Sequence, residues 1–150
     1  MIYILFSLIV LIPVFVGFGE IFQKTFGRFS FGIAAKIFTG MLTVSVIWTI
    51  FSFFTPLNIA IELSTVSVGL IAFFTYGVYD KFWQFLRGVN ISFYILGLVT
   101  VFFAAYAPFI LDHFGYYIPT IKWIAEVGLV QGISNLDLLL GQISVWHILQ

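Results

Sequence analysis

The chain has 150 residues with equal numbers of basic and acidic side chains, a formal net charge of zero, 62% hydrophobic residues and 8% charged ones. Soluble domains are about half apolar and about a quarter charged, so this composition excludes a soluble globular domain and describes an integral membrane protein. Without a basic excess there is no electrostatic footprint for nucleic acid, and without cysteine there are no disulfides, thiolate nucleophiles or Cys-ligated metals.

The charged residues punctuate the chain, and the apolar runs between them predict its helices. Residues 2–19 are uncharged and stop at Glu20; at about 1.5 Å per residue they cover a hydrocarbon core of roughly 30 Å. No Lys or Arg precedes this run and no small-x-small site follows it, so a span is expected here in preference to a signal peptide. Pro13 falls inside it, where neighbouring helices can accommodate a kink. Glu20, Lys24, Arg28 and Lys36 then alternate with Phe22, Phe26, Phe29 and Phe31, the pattern of an amphipathic connector at the interface with its cations among the head groups. A second span is expected over 37–57, with Pro56 and Asn58 at its exit and Glu62 opening the next connection. A third is expected over 64–79. Asp80, Lys81 and Arg87 follow, with Trp83 and Phe85 as interface anchors. The fourth span covers 91–111 and is closed by Pro108.

Lys24, Arg28 and Lys36 lie in the first connection and Lys81 and Arg87 in the third, while the second has no Lys or Arg. The positive-inside rule therefore puts connections one and three in the cytoplasm, and the N-terminus and Asp112 outside. No internal repeat, low-complexity tract or linker divides the chain. The expected fold is an all-α membrane protein: a transmembrane region over 1–111 with about four spans, then an external segment over 112–150. Within that segment, residues 114–127 have helical character interrupted by Pro119, with Lys122 and Glu126 four apart and Gly128 and Gly132 as stop signals. Residues 136–150 set Asp137, Gly141 and Ser144 along one line against a wide apolar face, as in a helix lying in the interface or re-entering it.

The run 112-DHFGYYIPTIKWIAEVGLVQGISNL-136, followed by 141-GQISVWHILQ-150, resembles the first large external loop of a bacterial family of polytopic membrane proteins similar to the GT-C glycosyltransferases. The resemblance implies transfer of a sugar from a polyprenyl-phosphate donor on the outer face of the inner membrane, in the cell envelope. It also implies that Asp112 acts as base or metal-positioning group. That superfamily usually carries its acid after the first span and often as a pair, whereas here four spans precede a single carboxylate. On this comparison the chain is the N-terminal part of a longer protein whose remaining C-terminal spans would be its partners, together with membrane lipid.

The residues carry a chemistry of their own. Transfer of a glycosyl group to a hydroxyl needs a base within hydrogen-bond reach and positive charge near the departing phosphate. Asp112 is the candidate base, since partial loss of water at a membrane exit favours proton uptake by a carboxylate, and Lys122 is the candidate cation. Tyr116, Tyr117 and Trp123 could stack on a sugar or a lipid. Asp112 and His113 are adjacent metal-ligand types without a third, so no metal site is assigned and any cofactor, a divalent metal included, stays open.

Plainer readings stand beside these. Asp112 could cap a helix starting at Phe114, Lys122 and Glu126 could form a surface ion pair, and the aromatic residues could be ordinary interface anchors. His147 reads as an interfacial histidine. Asp137, Ser144 and His147 include the residue types of a nucleophilic triad but lack the turn that would present the serine. The alternative to a glycosyltransferase is a non-catalytic membrane module, a transporter or an assembly subunit, whose spans serve packing.

Overall fold

The computed structural model describes residues 2–27, 30–105 and 118–129. Every regular element among them is a helix: α1 Ile2–Phe26, α2 Ile33–Ser52, α3 Ile59–Thr75, α4 Val78–Gly88, α5 Ile91–Ala104 and α6 Ile118–Glu126. α1 and α2 are long and apolar enough to cross a bilayer, α3 with α4 forms a further pair bent by 88°, and α5 is a shorter apolar helix. The outward surface is what water would not tolerate: along α5, Phe93, Ile95, Leu98 and Phe102 are all exposed. Such a surface is stable only against lipid or further protein. The chain is therefore a membrane-embedded helical protein.

Helix ends follow local chemistry. Asn58 caps α3, its Oδ1 accepting from the backbone N–H of Ala60 at 3.1 Å and of Ile61 at 3.3 Å. Asn90 caps α5, accepting from the N–H of Ser92 at 3.0 Å. Between α3 and α4 the break falls at Gly77, whose φ of 63° is a left-handed conformation that costs glycine little. The expected third span over 64–79 is thus displaced: α3 starts earlier, behind the Asn58 cap, and Gly77 ends it before Val78 opens a separate helix. Hydroxyls inside the apolar helices are satisfied by carbonyls one turn back, as in Thr43 to Thr39 at 2.7 Å and Thr49 to Ser45 at 2.7 Å. No water is needed for them.

The chain forms two compact units. The first combines Met1–Thr43 with Thr65–Ala107, and α1 is its centre. Val14, Val16, Gly17, Phe18, Gly19 and Glu20 are buried in succession, which a helix can do only when neighbours cover it on several sides. Glycine makes that possible. A Cβ on Gly17 would overlap the Gly69 carbonyl of α3, one on Gly19 would overlap the Lys36 backbone of α2, and one on Gly40 would overlap the Phe15 carbonyl. Small residues let helix backbones touch where lipid supplies no hydrophobic drive for association. Around these crossings Val16, Ile33, Phe73 and Val78 form a core, with Ile37 and Phe82 against it.

The second unit combines Val44–Ser64 with Pro108–Gln150. In its described part, α6 packs on the connection between α2 and α3. Leu57 and Ile124 are buried together, with Trp48 and Ile61 against them. The Leu57 N–H donates to the Ile124 carbonyl at 3.0 Å, and the Leu129 N–H to the Ser52 carbonyl at 2.8 Å. α6 ends as expected at Gly128, where φ is 85° and the N–H reaches back to the Trp123 and Ile124 carbonyls at 3.2 Å.

Candidate functional site

Of the residues singled out in the sequence, Asp112, His113, Tyr116 and Tyr117 lie outside the described residues, as do Asp137, Gly141, Ser144 and His147. Lys122 and Trp123 are on α6. Its buried side carries Thr120 and Ile124, one turn apart, while Lys122 and Trp123 project from the exposed side. Lys122 Nζ stands 3.9 Å from Glu126 Oε1, and the two side chains are 70% and 63% exposed. An ion pair so open to solvent is weak, at roughly 0–1 kcal/mol, and leaves the ammonium able to meet an anion. The Thr120 hydroxyl is buried and has no hydrogen-bond partner among the described residues. The described residues contain no cluster of three or more metal-ligating side chains.

The structure brings together two charges that the sequence placed in an exposed connector. Glu20 does not end the first helix. α1 continues to Phe26, α2 begins at Ile33, and Lys36 donates from Nζ to Glu20 Oε2 at 2.5 Å. The Lys36 and Glu20 side chains are only 5% and 10% exposed. An isolated buried charge is very costly, so the pairing is what lets both helices run on through these positions. Gly19 and Gly40 hold the backbones close on either side. The signal was present in the sequence as Gly17-Phe-Gly19-Glu20 and Lys36-Ile-Phe-Thr-Gly40, an acid and a base each beside glycines that allow close approach. Two other cations of the first unit lie over aromatic rings instead. Lys24 Nζ lies 3.9 Å from the centre of the Tyr76 ring, and the Arg87 guanidinium carbon is 5.5 Å from that of Trp83, both within reach of a cation–π attraction.

A groove of about 770 Å³ opens in the first unit. Its walls come from single helix faces: Leu5, Leu8 and Ile12 of α1; Leu70, Phe73 and Phe74 of α3; Tyr79, Phe82, Trp83 and Leu86 of α4; Tyr94, Gly97, Leu98 and Val101 of α5. The four α4 residues recur at three- and four-residue intervals, so one stripe of this amphipathic helix lines the groove while Asp80, Lys81 and Gln84 are exposed. The Tyr94 hydroxyl donates to the Leu86 carbonyl at 2.6 Å, tying α5 to the end of α4. The lining is almost wholly apolar. Such a groove can hold hydrocarbon.

Glycine-packed spans, a buried ion pair and a hydrocarbon-lined groove define the class: a polytopic helical membrane protein. Within that class the chain belongs to the family described as Domain of unknown function (DUF8201), which matches residues 1–150. No curated protein and no solved structure matches it.

Proposed function

We propose that the chain is the N-terminal, membrane-embedded part of a GT-C-like glycosyltransferase that takes a sugar from a polyprenyl-phosphate donor on the outer face of the bacterial inner membrane. The observation that carries this reading is the docking of α6 on the connection between α2 and α3. It supports an arrangement with Lys122 and Trp123 at the same membrane face as Asn58, and with an even number of crossings between them. α3 and α5 supply two: α3 has 17 residues, or about 25 Å, and α5 leads from Ala104 into an apolar stretch that runs to Leu111. With α1 and α2 this makes four crossings, the N-terminus outside, and Asp112 where the chain re-emerges. Asp112 is the base, Lys122 meets the donor phosphate, and His113, Tyr116, Tyr117 and Trp123 contact donor or acceptor.

A transfer assay on the full-length protein in proteoliposomes with a polyprenyl-phosphate sugar tests it. Asp112→Asn keeps shape and capping capacity but cannot take a proton, so transfer should be lost while insertion stays normal. Full activity in this variant would remove the base, and with it the enzyme. A second reading, a non-catalytic module such as a transporter or assembly subunit, draws support from the Glu20–Lys36 pair, two buried charges that neutralise each other and serve packing. It expects Asp112→Asn to be silent and Asp112→Ala to cost about 1 kcal/mol of local helix stability.

A further inference from the structure

We infer that the groove between α1, α3, α4 and α5 is a binding site for an anionic phospholipid, one acyl chain lying along Ile12, Phe73 and Leu98 and the phosphate meeting Arg87. The inference is independent of the glycosyltransferase reading. In a bilayer an apolar groove fills with hydrocarbon, so the informative question is which head group it selects. α4 answers it. The helix stands at 88° to α3 and is strongly two-sided, the attitude of a helix lying along the interface, where head groups sit. Trp83 is part of the groove wall. Arg87, one turn further along, is exposed and lies over the Trp83 ring at 5.5 Å, on the flank between the lining stripe and the polar face. Among the described residues it is in no ion pair. A guanidinium held by stacking at the edge of a hydrocarbon slot is complementary to an amphiphile with a phosphate at one end and an alkyl chain at the other. Phosphatidylglycerol carries an uncompensated negative charge there, whereas phosphatidylcholine brings its own cation to compete with Arg87.

Gly97 offers a clean way to close the slot. It lines the groove, and a Cβ built on it meets no atom within 4 Å, so Gly97→Leu adds bulk at the groove wall with no clash at its Cβ. Native mass spectrometry of the purified protein, released from detergent after incubation with equal amounts of phosphatidylglycerol and phosphatidylcholine, reads the proposal. The wild type should retain phosphatidylglycerol over phosphatidylcholine by about fivefold, the preference expected for one basic residue at a membrane surface. Arg87→Gln should bring the ratio near one while still holding lipid, and Gly97→Leu should lower retention of both lipids with its helical circular dichroism unchanged. Equal retention of the two lipids by the wild type would overturn the proposal, as would a preference that survives Arg87→Gln. Unaltered retention in Gly97→Leu would place the lipid elsewhere. Concentration-dependent dimerisation that Gly97→Leu abolishes would make a second copy of the chain the occupant instead.

Discussion

Replacing Lys36 by Met should be among the most damaging single changes in the chain, because it leaves the Glu20 carboxylate inside the helix packing with no counter-charge. The Nζ–Oε2 distance is 2.5 Å and the Lys36 and Glu20 side chains are 5% and 10% exposed. Gly19 is packed on the Lys36 backbone, so the acid cannot swing out to water without separating α1 from α2. Removing one partner of a buried pair costs about 3–5 kcal/mol, or on the order of 6–20 °C in melting temperature at this chain length. Replacing both partners with apolar residues of similar volume, Glu20→Leu with Lys36→Met, should restore most of that loss, since no charge then remains to be desolvated. Lys122→Met is the internal control: its pair is 3.9 Å apart and mostly exposed, and the loss should stay below about 1 kcal/mol. Unfolding of the wild type, Glu20→Leu, Lys36→Met and the double variant in mild detergent, followed by tryptophan fluorescence, gives the four values of the cycle and hence its coupling energy. A Lys36→Met loss as small as that of Lys122→Met, or a double variant as unstable as the sum of the singles, would refute the reasoning.

The glycine crossings make a sharper steric prediction. Gly17→Leu must displace the Gly69 carbonyl and should cost at least about 2 kcal/mol, whereas Gly97→Ala, in open space, should gain up to about 1 kcal/mol from helix propensity; the same melts compare them. Gly128→Ala puts a side chain on a residue with φ of 85° and a Cβ 2.8 Å from the Ser52 carbonyl, so α6 should loosen by about 1–2 kcal/mol. Faster amide exchange at Leu57 and Leu129 would report that loosening, and unchanged exchange would contradict it.

The membrane character, the start of α5 at Ile91 and the stop at Gly128 were legible because each depends on a local rule: an apolar composition, the first residue of an uncharged run, a glycine where φ is positive. Asn58 was read as the exit of the second span, and its capping of α3 was not legible. The division between α3 and α4 was not, because Tyr76-Gly77 interrupts a sequence that stays apolar to Tyr79, and hydrophobicity does not report a right-angle bend. Glu20 and Lys36 were misplaced for a related reason. A lone charge after an apolar run reads as the exit from a membrane unless its partner is known, and that partner is sixteen positions away on another helix. The groove escaped notice because its lining residues are the same Leu, Phe and Trp that make a lipid-facing surface; only the meeting of four helix faces separates the two. For the site itself, the sequence paired Lys122 with Glu126 four residues on and set Trp123 on another side with Thr120. The structure has the pair 3.9 Å apart on α6 and buries Thr120 but not Trp123, while Asp112 lies outside the described residues.

Membrane topology is the most direct test of the central claim, that the chain crosses four times and brings α6 out beside the connection between α2 and α3. Single cysteines at Glu62, Lys122 and Arg87, each an exposed position in a chain without native cysteine, can be challenged in intact cells with a membrane-impermeant thiol reagent. The account predicts labelling at Glu62 and Lys122 and protection at Arg87 until the membrane is permeabilised. Labelling at Arg87 with protection at the other two would invert the orientation, and opposite behaviour of Glu62 and Lys122 would contradict the four-crossing arrangement itself.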